Sequence, residues 1–174
     1  MTYYPRVKKW VIPESAMWVA MRELAHDGIK RIEGICLWLG NRGEDGLAAI
    51  THSVLLRGSY IEKSALNITI NPKLMREVHE KAQENKVSLI GQIHSHAENV
   101  GTNLSSVDRR YGISVPGYLS VVAPNYGLTE GTAINDCGVY TYVPEKGYIR
   151  LSWREVSKRI IIDHQMQHST LIIG

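Results

Sequence analysis

Cysteine is scarce in this chain: Cys36 and Cys137 are the only two. Two thiols do not make a disulfide framework. They suit a reducing cytosol, so a cytoplasmic location is expected. Cys36 lies inside an apolar run, where a thiol packs as a small hydrophobe. Nothing around Cys137 suggests an activated thiolate, which argues against a cysteine nucleophile. An excess of one charge is also lacking. The formal net charge is +3, and Lys8-Lys9, Arg109-Arg110 and Lys158-Arg159 are pairs scattered among acidic residues, not a stripe. No nucleic-acid partner is expected. No apolar run reaches the length of a membrane helix, and Met1-Thr2-Tyr3-Tyr4-Pro5-Arg6 has no apolar segment like that of an export signal. Neither a membrane nor secretion is expected. Linkers, repeats and low-complexity segments are absent, which predicts a single domain over 1–174. With 44% apolar and 21% charged residues, such a domain can build a sizeable core.

The elements that are present alternate, and the pattern predicts an α/β domain with a mixed sheet. Pro13-Glu14-Ser15 opens a helix with Met17, Ala20, Met21 and Leu24 on one stripe and Asp27-Gly28 at its end. Ile35 to Leu39 is a short, fully apolar strand, Asn41 to Gly46 a turn, and Leu47 to about Leu56 a second strand. Residues 57–70 read as an irregular excursion with a short strand, Ile68-Thr69-Ile70. Asn71-Pro72 is a helix start, a cap followed by proline, with Leu74, Met75, Val78 and Ala82 on the buried face. Further strands are predicted at 87–93, 118–123, 131–143 and 148–153, the last two joined through Pro144-Glu145-Lys146-Gly147. A closing helix is predicted from about Trp153 to His168.

The chemistry concentrates where the run Val87 to Ile93 ends in His94-Ser95-His96. Alternate side chains of a strand share a face, so both imidazoles can reach one ion. Asp108, a short loop later, offers a third, oxygen ligand. Three protein ligands with an open fourth position is the layout of a catalytic zinc. The plainer account is two histidines near a strand end and an acid in a helix cap. Hydrolysis at such a zinc also needs a base for the attacking water. Glu33, where the chain enters the apolar strand beginning at Gly34, is the best candidate; from its position alone, a surface pair with Lys30 or Arg31 is the simpler account.

Taken together and in order, Glu33, His94-Ser95-His96 and Ser105-Ser106-Val107-Asp108 resemble the JAB/MPN family, specifically its JAMM zinc-metalloprotease branch. Ile70-Asn71-Pro72-Lys73-Leu74 and Tyr118-Leu119-Ser120-Val121-Val122 are similar to the family's helix start and following strand. The resemblance covers about 13–153. It implies a cytidine-deaminase-like fold, a mixed central sheet flanked by helices. It also implies a zinc ion held by His94, His96 and Asp108, with Glu33 as base and Ser105 as hydrogen-bond donor to the oxyanion. Two departures fall in the loop between ligands. Ala97 stands where the family has proline, and eight residues separate His96 from Ser105, one more than usual, with Gly101 available to absorb the extra residue.

Most active members of the family cleave after the C-terminal glycine of ubiquitin or a ubiquitin-like protein. The resemblance therefore implies a ubiquitin-like protein or its conjugates as partner. The small size is similar to that of stand-alone JAB domains in bacterial conjugation operons, some of which act against phage. The segments 57–70 and 97–117 would then wall an extended tail. Two alternatives stay open: a JAMM peptidase acting on sulfur-carrier or phage-tail peptides, and a non-catalytic MPN scaffold. Elsewhere the signals are weaker. His164 and His168 stand four apart on the expected last helix, but Gln165 occupies the place where the zincin pattern needs glutamate. His26, His52 and His79 have no evident partners in the sequence.

Overall fold

A computed structural model describes residues 6–174. Residues 1–5, on which the expectation of no export signal rests, lie outside the described residues. The chain runs β1 (Lys9–Pro13), α1 (Glu14–Gly28), β2 (Ile35–Arg42), β3 (Leu47–Leu56), β4 (Ile61–Lys63), β5 (Ile68–Ile70), α2 (Pro72–Glu84), β6 (Ser88–Ser95), α3 (Ser106–Tyr111), β7 (Leu119–Ala123), β8 (Gly138–Val143), β9 (Gly147–Arg150), α4 (Trp153–Arg159), β10 (Ile160–Asp163) and β11 (Ser169–Ile173). Nine strands form one mixed sheet in the order β10-β1-β3-β2-β6-β7-β8-β9, with β11 also on β3; β4 and β5 form a separate hairpin. Helices flank the sheet, the α/β class expected.

The apolar run of β2 is continuous because both faces of the sheet are covered. Cys36 and Trp38 pack with Ala16, Met17, Ala20 and Leu24 of α1. Ile35, Leu37 and Leu39 point the other way, into a cluster with Leu74, Val78 and Ala82 of α2. The period of two decides which core each side chain joins. A bulge at Leu39/Gly40 brings Gly40 so close to β3 that a Cβ there would collide with the Ala49 carbonyl oxygen. Helix α2 starts as expected, with Asn71 Oδ1 accepting from the Lys73 N–H at 2.9 Å. Met75 of its expected buried face, like Met21 on α1, is only half-buried.

The structure corrects the sequence reading at several places. The predicted helix from Trp153 to His168 stops at Arg159. It begins with a capping box, Ser152 Oγ accepting from the Glu155 N–H and the Glu155 carboxylate accepting from the Ser152 N–H. Three consecutive isoleucines, 160–162, then favour extended backbone, and β10 adds in parallel to β1 with Trp10 opposite Ile160. Asp163 turns the chain by accepting from the Gln165 and Met166 N–H groups, and β11 returns along β3. The predicted strand 131–143 begins only at Gly138, because Ile134–Asp136 is a 3-10 turn. The strand predicted from Tyr148 to Trp153 is β9, Gly147–Arg150, since Ser152 is already the cap of α4. Strands β1 and β4 were not expected; each is too short for a clear period. Among the described residues, no helix is long and apolar enough to cross a membrane.

Candidate metal centre

Three strands and one helix cap bring the expected site residues together. His94 sits near the end of β6, opposite Ile35 of β2 on one side and Val122 of β7 on the other. His96 lies one residue past β6 and is still held by backbone. Its N–H donates to the Ala123 carbonyl at 2.9 Å, and its carbonyl accepts from the Tyr126 N–H at 2.7 Å. Both rings are buried and meet edge-on. Asp108 arrives from α3, where Ser105 and Asp108 form a reciprocal cap: Asp108 N–H donates to Ser105 Oγ at 3.0 Å and Ser105 N–H to Asp108 Oδ2 at 2.8 Å. The cap and the site therefore coincide.

The donor atoms converge. His94 Nε2 and His96 Nε2 are 3.2 Å apart, Asp108 Oδ2 is 3.2 Å from His96 Nε2, and Asp108 Oδ1 is 3.5 Å from His94 Nε2. A tetrahedron with metal–ligand bonds of about 2.0–2.1 Å has edges of about 3.3 Å. The His94–His96 and His96–Asp108 Oδ2 separations match such edges, one donor atom from each of the three residues lies within 4.8 Å of the others, and among the described residues this is the one such cluster of three. His96 Nδ1 lies 3.1 Å from the Gly101 carbonyl, and a proton donated there leaves the Nε2 lone pair free for a ligand. Gly101 sits at φ +82°, a conformation to which glycine is best suited. Ala97 is buried at the root of the same loop.

Electrostatics follow from this crowding. Burial raises the Asp108 carboxyl, but bonds from His94, His96 and the Ser105 N–H outweigh it and hold the group well below the usual carboxylate range. Burial lowers His96, yet Asp108 and Glu33 bring it above its ordinary value. Glu33 is buried, not paired at the surface: Arg31 bonds Glu98 instead. Its carboxyl is pushed up to about 7, first by burial and further by Asp108, against the opposing pull of His96. Glu33 has the parity of Ile35 and Leu37, so it faces the same groove as His94. That groove, of about 440 Å³, has a floor of β2 and β6 side chains, one wall from Asn67 to Ile70 and another from Val107 to Ile113.

One placement was not legible in the sequence. Ser95, between the histidines, is fully buried on the opposite face. Its Oγ accepts from the Gly34 N–H at 2.9 Å and its N–H donates to the Gly34 carbonyl at 3.0 Å. It ties the backbone after Glu33 to the histidine strand, and the only hint was its spacing. Ser105 is exposed and lies at the cap, where its hydroxyl accepts one bond and keeps its own proton to donate. His164 and His168 are not on a helix: His164 pairs with Glu14 at 2.9 Å and His168 Nδ1 with Ser15 Oγ at 2.7 Å.

No family model matches the chain, and no curated protein matches it. Solved structures do. A protein of Desulfitobacterium hafniense, known from its solution structure, is 14% identical over 90% of this chain and 94% of that one, with a TM-score of 0.61. A protein of Salinibacter ruber, also solved in solution, is 18% identical over 91% of this chain and 95% of that one, with a TM-score of 0.55. At these identities the likeness is one of fold, and it spans nearly the whole chain.

Proposed function

We propose that this chain is a zinc-dependent peptidase or isopeptidase of the JAMM branch of the JAB/MPN family, with that family's cytidine-deaminase-like fold, and that it cleaves after the C-terminal glycine of a ubiquitin-like protein. The observation that carries the reading is the convergence of His94 Nε2, His96 Nε2 and the Asp108 carboxylate at about tetrahedral edge spacing, beside a buried glutamate in the same groove. A zinc ion there would supply Lewis acidity and lower the pKa of the attacking water. Glu33 takes a proton from that water as it adds to the scissile carbonyl, and delivers it to the departing nitrogen as the C–N bond breaks. The Ser105 hydroxyl donates to the oxyanion.

The groove supports a tail as substrate. Among the described residues β5 pairs only with β4, so its other edge, along the groove wall, can accept an extended chain as an added strand. Glycine beside the scissile bond lets backbone approach a site this narrow. Leu66, Val107 and Tyr111 expose apolar surface on or next to the two walls, a rim suited to the body of a folded partner. The cytoplasm is the proposed setting, supported by Cys36 and Cys137, both buried and free. The test is a ubiquitin-like protein fused through its C-terminal glycine to a reporter. Chelator-sensitive release of the reporter after that glycine is expected. Equal cleavage of the free tail peptide would favour a general peptidase, and purified protein that binds no zinc would overturn the reading.

A further inference from the structure

The loop between the two kinds of ligand, residues 97–104, carries no regular structure, yet both ends of it are critical to the metal centre. Its Gly101 carbonyl faces His96 Nδ1, and its last residue leads into the Ser105 cap that presents Asp108. Arg31 pairs with Glu98 in its first half, and its second half, residues 102–104, is held by the hairpin of β8 and β9, which contributes no ligand. The Tyr140 phenol, almost fully buried, donates to the Thr102 carbonyl at 2.9 Å and accepts from the Leu104 N–H at 3.3 Å. Arg150 reaches over the same residue, with Nη1 donating to Asn103 Oδ1 at 2.7 Å and Nη2 to Thr102 Oγ1 at 3.0 Å. Its Nη1 also lies 3.4 Å from the Tyr140 oxygen. Gly138 of β8 allows the approach, because a Cβ there would collide with the Thr102 carbonyl oxygen.

These contacts clamp residues 102–104, the stretch between the carbonyl that orients His96 and the cap that orients Asp108. We infer that Tyr140 and Arg150 are positioning residues of the metal centre, which set its zinc affinity by holding the loop so that His96 and Asp108 are presented together. The inference rests on the zinc reading above and goes beyond it. A free loop would have to be ordered on metal binding, and a clamped one is ordered in advance. Groups that orient metal ligands from outside the coordination shell typically change affinity by about 10–100-fold.

The test is zinc affinity by competition with a chromophoric chelator, for wild type, Tyr140→Phe, Arg150→Gln and Asn103→Ala. Tyr142→Phe serves as control, since Tyr142 on the same hairpin packs edge-on against Tyr148 instead. Tyr140→Phe should weaken zinc by about 10–100-fold, Arg150→Gln should weaken it less, and Tyr142→Phe should leave it unchanged. Each clamp variant should also lose part of the zinc-induced rise in Tm, which a purely structural role would not affect because it lowers metal-free and zinc-loaded forms equally. Asn103 is exposed, so Asn103→Ala keeps the test open if the buried tyrosine variant fails to fold. Wild-type affinity in Tyr140→Phe, or in both Arg150→Gln and Asn103→Ala if that variant does not fold, overturns the inference while leaving the zinc reading intact. A wild type that binds no zinc overturns both.

Discussion

Replacing Glu33 with glutamine should make the metal-free protein more stable and the zinc-loaded enzyme nearly inactive. In the folded chain, burial pushes the carboxyl from 4.5 up to about 7. The folded state therefore holds this proton more tightly than the unfolded chain. The stability linked to it is fully present below 4.5 and is lost as pH rises through about 7, because above that pH a charge is kept in a poorly solvated place. At about 1.4 kcal/mol per pH unit, the interval corresponds to about 3 kcal/mol at most. Water reaches the groove mouth, and screening brings the expected figure to about 1–2 kcal/mol. Glutamine carries no charge, so Glu33→Gln should melt about 2–8 °C above wild type at pH 8 in chelator. The two curves should converge near pH 4. Glutamine also removes the charge that helps raise His96, which offsets part of the gain, and it relieves the repulsion with Asp108, which adds to it. In the zinc-loaded form the same variant should keep its metal and lose about 10²–10⁴-fold in turnover. A variant less stable than wild type at pH 8 would show that Glu33 is not a strained buried carboxyl, and one that cleaves near the wild-type rate would show that it is not the base.

His94→Ala and Asp108→Ala should each abolish stoichiometric zinc by elemental analysis, because each deletes one of three converging ligands, whereas His164→Ala should not, since His164 pairs with Glu14 far along the chain. Ser105→Ala should retain zinc but lose about 1 kcal/mol of stability from the cap. Its rate should fall by about 10²–10³-fold if the hydroxyl serves the oxyanion; an unchanged rate with the same loss in Tm would leave the cap as its only role. Gly40→Ala should destabilise by about 1–3 kcal/mol in chemical denaturation, because a Cβ there collides with the Ala49 carbonyl across the bulge.

Local signals read well. Asn71-Pro72 marks a helix start because the cap and the proline act within one turn, and the structure shows that cap. Leu47 to Leu56 was legible as a strand to its last residue. The spacing of His94 and His96 was legible as a shared face for the same reason: two residues of strand are enough to specify it. The C-terminal region misled because 153–168 has an acceptable helical pattern, while the free edges of β1 and β3 were invisible. Once those edges exist, the isoleucines from Ile160 gain backbone partners that a helix could not offer. Glu33 was undecidable for a related reason. Beside Lys30 and Arg31 it looks like a surface charge, and only the register of Ile35 with His94 turns it inward.

By itself the sequence determined the ingredients: two imidazoles on one strand face, a cap carrying a carboxylate, a glutamate before an apolar strand, and an alternation of elements that must close into an α/β sheet. Each of these is set by contacts within a few residues. The tertiary structure alone decided that the donors meet at 3.2–3.5 Å, that Glu33 is buried in their groove, and that Tyr140 and Arg150 hold the loop between them. Those relations join residues dozens of positions apart. Sheet pairing and a shared core create them, and no local pattern encodes which edges will meet.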